Sequence, residues 1–175
     1  RRVADIMESR VYHIAAALCL EVGKNRMEAL GEAQETVDFF RQYADDFENA
    51  NGFDVPLPND PLDGVVSSNR SILRPYGVWA VIAPFNFPLM VPNWTMPNAL
   101  VLGNTMIMKP SELVPLSCLR MAELLKEAGL PDGVFNIING GKEIVEGICS
   151  HKNIEAVSFV GSTKVAKLVY QQSTH

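Results

Sequence analysis

The sequence predicts an α/β fold in which a parallel sheet carries helices on both faces and is preceded by N-terminal helices. From Val78 onward, short apolar segments alternate with amphipathic ones, which is the order expected when helices connect parallel strands. The chain has 175 residues and is 47% hydrophobic, enough for one sizeable core. Polar side chains follow two of the apolar segments, and parallel sheets bind ligands just beyond the carboxyl ends of their strands.

The first part of the chain is predicted to be helical. Apolar residues recur at helical spacing near Val3–Val22 and near Lys24–Asn49, so one helix is expected in each segment. Residues 51–68 are rich in proline, glycine and aspartate, which favours an irregular linker or excursion. A short strand is expected at Ser71–Arg74.

The rest of the chain reads as alternating strands and helices. Strands are predicted near residues 78–83, 104–108, 134–138 and 156–160, and helices near residues 89–102, 114–128, 141–150 and 163–171. The helix near 114–128 is the clearest, because Pro115 suits a first turn and Gly129 suits a helix end. Right-handed crossovers would bring the strand ends at Pro84, Lys109 and Val160 to one edge of the sheet.

Charge and composition argue against several classes of partner. Fifteen Lys+Arg against 20 Asp+Glu give a net charge of −5, which supplies no attraction to nucleic acid or to an anionic membrane. The longest apolar run, near Trp79–Met90, is interrupted by prolines, so no membrane span or signal segment is expected. We therefore expect neither nucleic acid nor membrane as a partner.

The cysteines and histidines do not form a recognisable site. The three cysteines lie far apart, which favours a reducing compartment, and Cys118 and Cys149 are interpreted as core residues. The histidines are dispersed without ligand spacing, so no metal site is predicted; they are His13, His151 and His175.

Asn86 follows a buried strand and lies between Pro84 and Pro88. The prolines restrict the backbone on both sides, so the amide could donate a hydrogen bond to a developing oxyanion. The alternative is that the amide only satisfies its own turn, which is the commoner role of an asparagine next to proline.

Lys109 and Glu112 follow the next strand and can project from one turn. A carboxylate accepts hydrogen bonds from vicinal hydroxyls while an ammonium donates one, so the pair could hold a ribose. An isolated solvated salt bridge is the plainer interpretation of the same tetrapeptide.

Gly161-Ser162-Thr163 ends the last predicted strand and opens a helix. A glycine beside a helix N-terminus and a hydroxyl favours phosphate, although a serine there is usually only an N-cap. No GxGxxG follows any predicted strand, so a dinucleotide would have to be held in another way.

Taken in order, four motifs resemble those of the aldehyde dehydrogenase superfamily. They are Ile82-Ala83-Pro84-Phe85-Asn86-Phe87-Pro88, Gly103-Asn104-Thr105 leading to Lys109-Pro110-Ser111-Glu112, Gly129-Leu130-Pro131-Asp132-Gly133-Val134-Phe135-Asn136, and Phe159-Val160-Gly161-Ser162. The resemblance implies a partial aldehyde dehydrogenase fold with a Rossmann-like sheet that binds NAD without the glycine fingerprint. It divides the chain into N-terminal helices with the excursion, residues 1–70, and a partial NAD-binding domain, residues 71–175.

The resemblance also assigns roles to residues. It implies that Asn86 helps to form the oxyanion hole, that Lys109 and Glu112 hold the adenosine ribose, and that Ser162 meets the pyrophosphate. The other residues that it places at the cofactor are Ile82, Ala83, Pro84, Phe85, Ser111 and Gly161.

The family's catalytic cysteine and general base belong to a later segment that this sequence does not contain. A thiolate must attack the aldehyde to form the thiohemiacetal from which hydride leaves, so the chain is expected to be inactive alone and active only within a full-length parent. The rival hypotheses are a non-catalytic nucleotide-binding or scaffolding module, and an α/β domain that binds no nucleotide.

Two subfamilies are suggested by different parts of the chain. Residues 20–32 and 74–82 resemble 1-pyrroline-5-carboxylate dehydrogenases, whereas residues 103–112 and 156–163 resemble methylmalonate semialdehyde dehydrogenase. The first subfamily implies water as the acyl acceptor and the second implies coenzyme A. The small-molecule substrate is in either case an aldehyde.

Assembly and location follow from the resemblance alone. It implies a homo-oligomer in the full-length protein, with Ser71–Arg74 as part of an excursion between subunits. It implies a cytoplasmic location for a bacterial source and the mitochondrial matrix for a eukaryotic one.

Overall fold

Helices occupy the start of the chain and strands appear only after residue 53 in the computed structural model, which describes residues 1–174. The N-terminal helices are α1 (Arg2–Ser9), α2 (Val11–Val22) and α3 (Arg26–Asn49). His175, one of the histidines considered as a metal ligand, lies outside the described residues.

The prediction of one continuous helix over Val3–Val22 was wrong, because the helix breaks at Arg10. The Ser9 hydroxyl donates to the Ile6 carbonyl at 2.8 Å, and the Arg10 N–H donates to the Met7 carbonyl at 3.0 Å. The Arg10 guanidinium pairs with Glu127, at 2.5 Å and 2.7 Å to its two carboxylate oxygens. The break thus coincides with a contact to a distant residue, which the apolar periodicity does not show.

The turn between α2 and α3 is specified locally. Gly23 ends α2 with a φ of +81°, a conformation that glycine adopts without steric cost. Asn25 then caps α3, and its side-chain oxygen accepts from the Glu28 N–H at 3.0 Å.

The proline-rich excursion contains a strand that was not predicted. Strand β1 (Asp54–Leu57) pairs antiparallel with β2 (Asn69–Ile72), and Pro56 lies opposite Arg70. A two-stranded ribbon has free edges on both sides, so the missing N–H of Pro56 is tolerated there.

The remaining strands form one parallel sheet, as predicted. They are β3 (Val78–Ile82), β4 (Thr105–Lys109), β5 (Phe135–Ile137) and β6 (Ile154–Phe159), in the order β5-β4-β3-β6. The connecting helices are α4 (Met96–Val101), α5 (Leu116–Glu127), α6 (Lys142–Ser150) and α7 (Thr163–Ser173). A single helix over 89–102 was expected, but a 3₁₀ turn at Pro92–Trp94 precedes α4 because Pro92 and Pro97 interrupt regular hydrogen bonding.

Side chains alternate along β3, so that the sheet has a core on each face. Val81 packs on the side of α1–α5, in a cluster that includes Leu18, Val37 and Leu124. Ala80 and Ile82 point to the other side, where α6 and α7 contribute Ile148 and Val169. This arrangement confirms the predicted sheet with helices on both faces. Helices α1–α3 pack into the same larger core as the sheet. The predicted division into residues 1–70 and residues 71–175 therefore stays a prediction.

Within residues 1–174, every helix is too short or too polar to cross a lipid bilayer.

Candidate functional site

The carboxyl ends of three strands lie side by side at one edge of the sheet. Ile82 of β3 is in register with Lys109 of β4 on one side and with Phe159 of β6 on the other. The Ala83 N–H donates to the Lys109 carbonyl at 3.0 Å, so the ladder continues into the Asn86 loop. The chain order reverses here, since β4 and β5 extend from one side of β3 and β6 is added to the other. A crevice at such a point is where open α/β sheets bind ligands.

Lys109 and Glu112 form an ion pair at this edge. The ammonium lies 3.2 Å from Glu112 Oε2. The Lys109 side chain is 5% exposed, whereas that of Glu112 is 61% exposed. An ammonium has three donors, and among residues 1–174 the Lys109 ammonium uses one of them, toward Glu112. The pair therefore offers both hydrogen-bond donors and hydrogen-bond acceptors to a ligand bound at this edge of the sheet.

The Glu112 carboxylate is held in its charged form. Its own backbone N–H and then the Lys109 ammonium lower the pKa of Glu112, and partial burial opposes them. The pKa of nearby Glu143 is also lowered, by its own N–H and by that of Gly141, which donates at 2.9 Å. The rim of the site thus carries two carboxylates that stay ionised at neutral pH.

A cleft of about 350 Å³ opens beside this pair, between α6 and α7. Its lining includes Lys109, Glu112, Gly141, Val145, Val165 and Leu168. Size alone does not distinguish it, because a cleft of about 340 Å³ lies among α1, α3 and α4. Its position at the strand ends and its ion pair do distinguish it.

Gly161 and Ser162 lie where β6 leads into α7. The Ser162 hydroxyl accepts from the Val165 N–H at 3.4 Å, so it caps α7. A Cβ on Gly161 would lie 2.5 Å from Cζ of Phe159, so packing against that ring accounts for the glycine. Val165 also lines the cleft, which puts the capped first turn of α7 at its wall.

Asn86 occupies an exposed bend after β3. Within the described part of the chain, its side-chain amide makes no hydrogen bond. The amide is therefore not used to satisfy the turn in which it lies. Phe85 is 58% exposed beside it, whereas Ile82 and Ala83 are buried at the strand end and Pro84 is half-buried.

Ser111 takes part in the local turn of the site. Its hydroxyl accepts from the Leu113 N–H at 3.3 Å. Of the predicted site residues, Lys109, Ser111 and Glu112 share one turn, and Gly161 and Ser162 lie at the start of α7, the helix that supplies Val165 and Leu168 to the cleft. Their roles toward a cofactor stay predictions.

Several residues of the cleft were missed by the sequence reasoning. Gly140 and Gly141 follow β5 at the same edge, and Val145, Val165 and Leu168 supply its apolar walls. Two glycines between a strand and a helix were an available signal. The apolar residues were not, because at helical spacing they are indistinguishable from core positions.

Cys118 is a buried core residue, as predicted. Its thiol contacts the Pro88 carbonyl at 3.1 Å, and burial raises its pKa to about 12. A thiol with that pKa is protonated at neutral pH and is a poor nucleophile. Across residues 1–174, no group of three or more His, Cys, Asp or Glu residues has the geometry of a metal site.

Comparison with known proteins identifies the family. Residues 1–175 match the aldehyde dehydrogenase family, and the chain belongs to it. A malonate-semialdehyde dehydrogenase 2 of Oceanobacillus iheyensis is 45% identical over 163 residues, covering 92% of this chain and 32% of that protein. A malonate-semialdehyde dehydrogenase of Bacillus velezensis is 39% identical over 172 residues, covering 97% of this chain and 34% of that protein. The chain thus spans about a third of the curated relatives' length.

Solved structures support the same fold. An aldehyde dehydrogenase from Brucella melitensis superposes with a TM-score of 0.90 at 32% identity, covering 99% of this chain and 35% of that one. Proline utilization A from Bradyrhizobium japonicum superposes with a TM-score of 0.90 at 33% identity, covering 98% of this chain and 17% of that one. The curated names support the semialdehyde dehydrogenase resemblance, whereas the 1-pyrroline-5-carboxylate part has looser support through proline utilization A.

Proposed function

We propose that this chain is the NAD-binding portion of an aldehyde dehydrogenase that oxidises a semialdehyde. The observation that carries the proposal is the Lys109–Glu112 ion pair, which stands at the carboxyl end of β4 with donors and acceptors to spare. Family membership and the malonate-semialdehyde dehydrogenases among the relatives support the reaction class.

The ion pair fits the two hydroxyls of a ribose. Lys109 has two donors left after its contact with Glu112, and the ionised carboxylate accepts from vicinal hydroxyls. The buried stem of Lys109 fixes the ammonium, so little side-chain entropy is lost when a sugar binds. Ionised Glu112 would also repel a 2′-phosphate, which favours NAD over NADP.

The apolar walls of the cleft fit the adenine ring. Val145 of α6 faces Val165 and Leu168 of α7 across it, and a flat base gains by leaving water between such side chains. The first turn of α7, with Ser162 and Gly161, offers backbone N–H groups to the pyrophosphate.

Asn86 would act on the substrate oxygen. Its exposed amide is not engaged by the described residues and can donate to charge that develops on the aldehyde oxygen. The bound dinucleotide would supply the acceptor for hydride. The resemblance to the family assigns the nucleophilic thiolate to a later segment of the parent, and Cys118, which is buried and protonated, does not compete for that role.

Assembly, location and acyl acceptor are further parts of the proposal. The β1–β2 ribbon exposes Val55, Leu57 and Ile72, which is consistent with an arm that pairs with another subunit. The location proposed is the cytoplasm, or the mitochondrial matrix for a eukaryotic source. Water and coenzyme A both stay open as acyl acceptors, and the product, acid or thioester, distinguishes them.

The test uses a full-length protein that contains these residues. We expect it to reduce NAD when given malonate semialdehyde, and we expect Asn86→Ala to lower kcat by about 100-fold with little change in NAD affinity. NAD binding without turnover of any aldehyde would favour the non-catalytic nucleotide-binding module. Failure to bind NAD or NADP would contradict both hypotheses.

A further inference from the structure

A buried ion pair lies beneath the loop that carries Asn86. Lys24 Nζ is 2.6 Å from Glu32 Oε2, and the two side chains are 7% and 0% exposed. Neither atom has a further hydrogen-bond partner within residues 1–174. Two charges seldom gain stability by being buried together, because desolvation offsets their attraction. The pair therefore calls for a role other than general stabilisation.

Both charges contact the segment that follows Asn86. Glu32 Oε1 accepts from the backbone N–H groups of Leu89 and Met90, at 2.9 Å and 3.0 Å. The Lys24 ammonium lies 3.4 Å from the centre of the Phe87 ring. The carboxylate thus holds the backbone of the loop, and the ammonium holds its aromatic side chain.

Asn86 itself depends on its neighbours for its position. Its amide makes no hydrogen bond to the described residues, and the bend that carries it is exposed. Pro84 restricts the chain before it, and the Lys24–Glu32 contacts fix the chain after it. A donor aimed at a reacting oxygen must be placed closely, since an error of about 1 Å can lower the rate by about 100-fold.

We infer that Lys24 and Glu32 are positioning residues that hold the Asn86 loop for catalysis. They act through Phe87 and through the N–H groups of Leu89 and Met90, and neither touches the substrate. The inference rests on the proposed function for the role of Asn86. The contacts of Lys24 and Glu32 with Phe87, Leu89 and Met90 do not depend on the proposed function.

The first measurement is amide hydrogen exchange at residues 84–92 in a full-length protein containing this chain. Lys24→Met keeps the apolar stem but removes the cation that pairs with Glu32 and contacts Phe87, so the carboxylate loses its fixed position and exchange at Leu89 and Met90 should speed up by about tenfold. Lys24→Arg keeps the contact with Phe87 and should restore slow exchange. Glu127→Gln, which removes the negative charge from the exposed ion pair with Arg10, is the control for loss of a charge elsewhere and should leave these amides unchanged.

The second measurement is kcat in a double-mutant cycle with Asn86. Lys24→Met alone should lower kcat by about tenfold or more, with the Kd for NAD unchanged within about twofold. In the Asn86→Ala background the same substitution should have no further effect on kcat. An equal loss in both backgrounds would overturn the positioning role.

A third variant keeps the test decisive if a single buried charge prevents folding. Lys24→Met/Glu32→Gln leaves no unpaired charge and retains an acceptor for Leu89 and Met90. It should fold and still show a kcat below wild type, because contact with the Phe87 ring is lost. Slow exchange together with wild-type kcat in this variant would contradict the inference, whereas a wild type without aldehyde oxidation would contradict the proposed function alone.

Discussion

Glu112→Gln removes one negative charge at the rim of the cleft and leaves the size of the side chain almost unchanged. If Glu112 accepts from a ribose, the amide still accepts one hydrogen bond but is neutral, so NAD affinity should fall modestly. The larger effect is expected with NADP, because the carboxylate no longer repels a 2′-phosphate. The substitution should therefore shift the ratio of NADP affinity to NAD affinity upward.

The size of that shift follows from the exposure of the carboxylate. Two unit charges 4 Å apart interact by about 1 kcal/mol in water and about 4 kcal/mol at an effective dielectric constant of 20. Glu112 is 61% exposed, so the repulsion per unit charge lies toward the lower value. With about −1.5 to −2 on the phosphate, the total is about 2 kcal/mol, or about 30-fold in the affinity ratio.

The assay is titration of both dinucleotides, followed by protein fluorescence, in a full-length protein containing this chain. Glu123→Gln is the matched control, since Glu123 pairs with Arg120 at the same sequence separation and is 66% exposed. Glu112→Gln should also lower the free energy of unfolding, because the buried Lys109 ammonium loses its charged partner, so the titrations are made where the variant is shown to be folded. A ratio that moves no more than in the control would refute the placement of the ribose at Glu112.

Three further predictions concern the protein around the site. Cys118 should resist an aqueous thiol reagent in the native state and react after unfolding, whereas the half-buried Cys19 and Cys149 should react before it. Leu18→Ala should lower the free energy of unfolding by about 2–5 kcal/mol in denaturant titrations, because the side chain is 0% exposed in the larger core. The pKa of Glu8 is lowered by Arg41, so this pair stabilises the fold above the unfolded pKa near 4.5 and the contribution is lost as pH falls through the lower folded value. Glu8→Gln should therefore narrow the difference in Tm between neutral and acid pH.

Much of the fold could be predicted because its signals are local. The strands β3–β6 and the helices between them follow from runs of apolar residues with clear ends, and β3 is apolar at every position, as expected of a strand that is covered on both faces. Strand β1 was missed because Pro56 argues against a strand unless the strand is known to lie at an edge. The break at Arg10 was missed because apolar residues recur at helical spacing on both sides of it.

In the candidate site, too, the residues linked by short sequence separations were predicted and those linked by long separations were not. Lys109 and Glu112 were found from the sequence because they are three positions apart and one turn joins them. The residues that position the site from distant parts of the chain have no such short-range pattern in the sequence. Glu32 contacts the N–H of Leu89 across 57 positions, and Glu21 accepts from the N–H of Ser117 across 96. Every residue but proline carries a backbone N–H, so such a contact places no demand on the identity of the partner. A carboxylate that accepts from backbone N–H groups can therefore be recognised only in the folded structure, whereas the site residues that it positions can be predicted from the sequence.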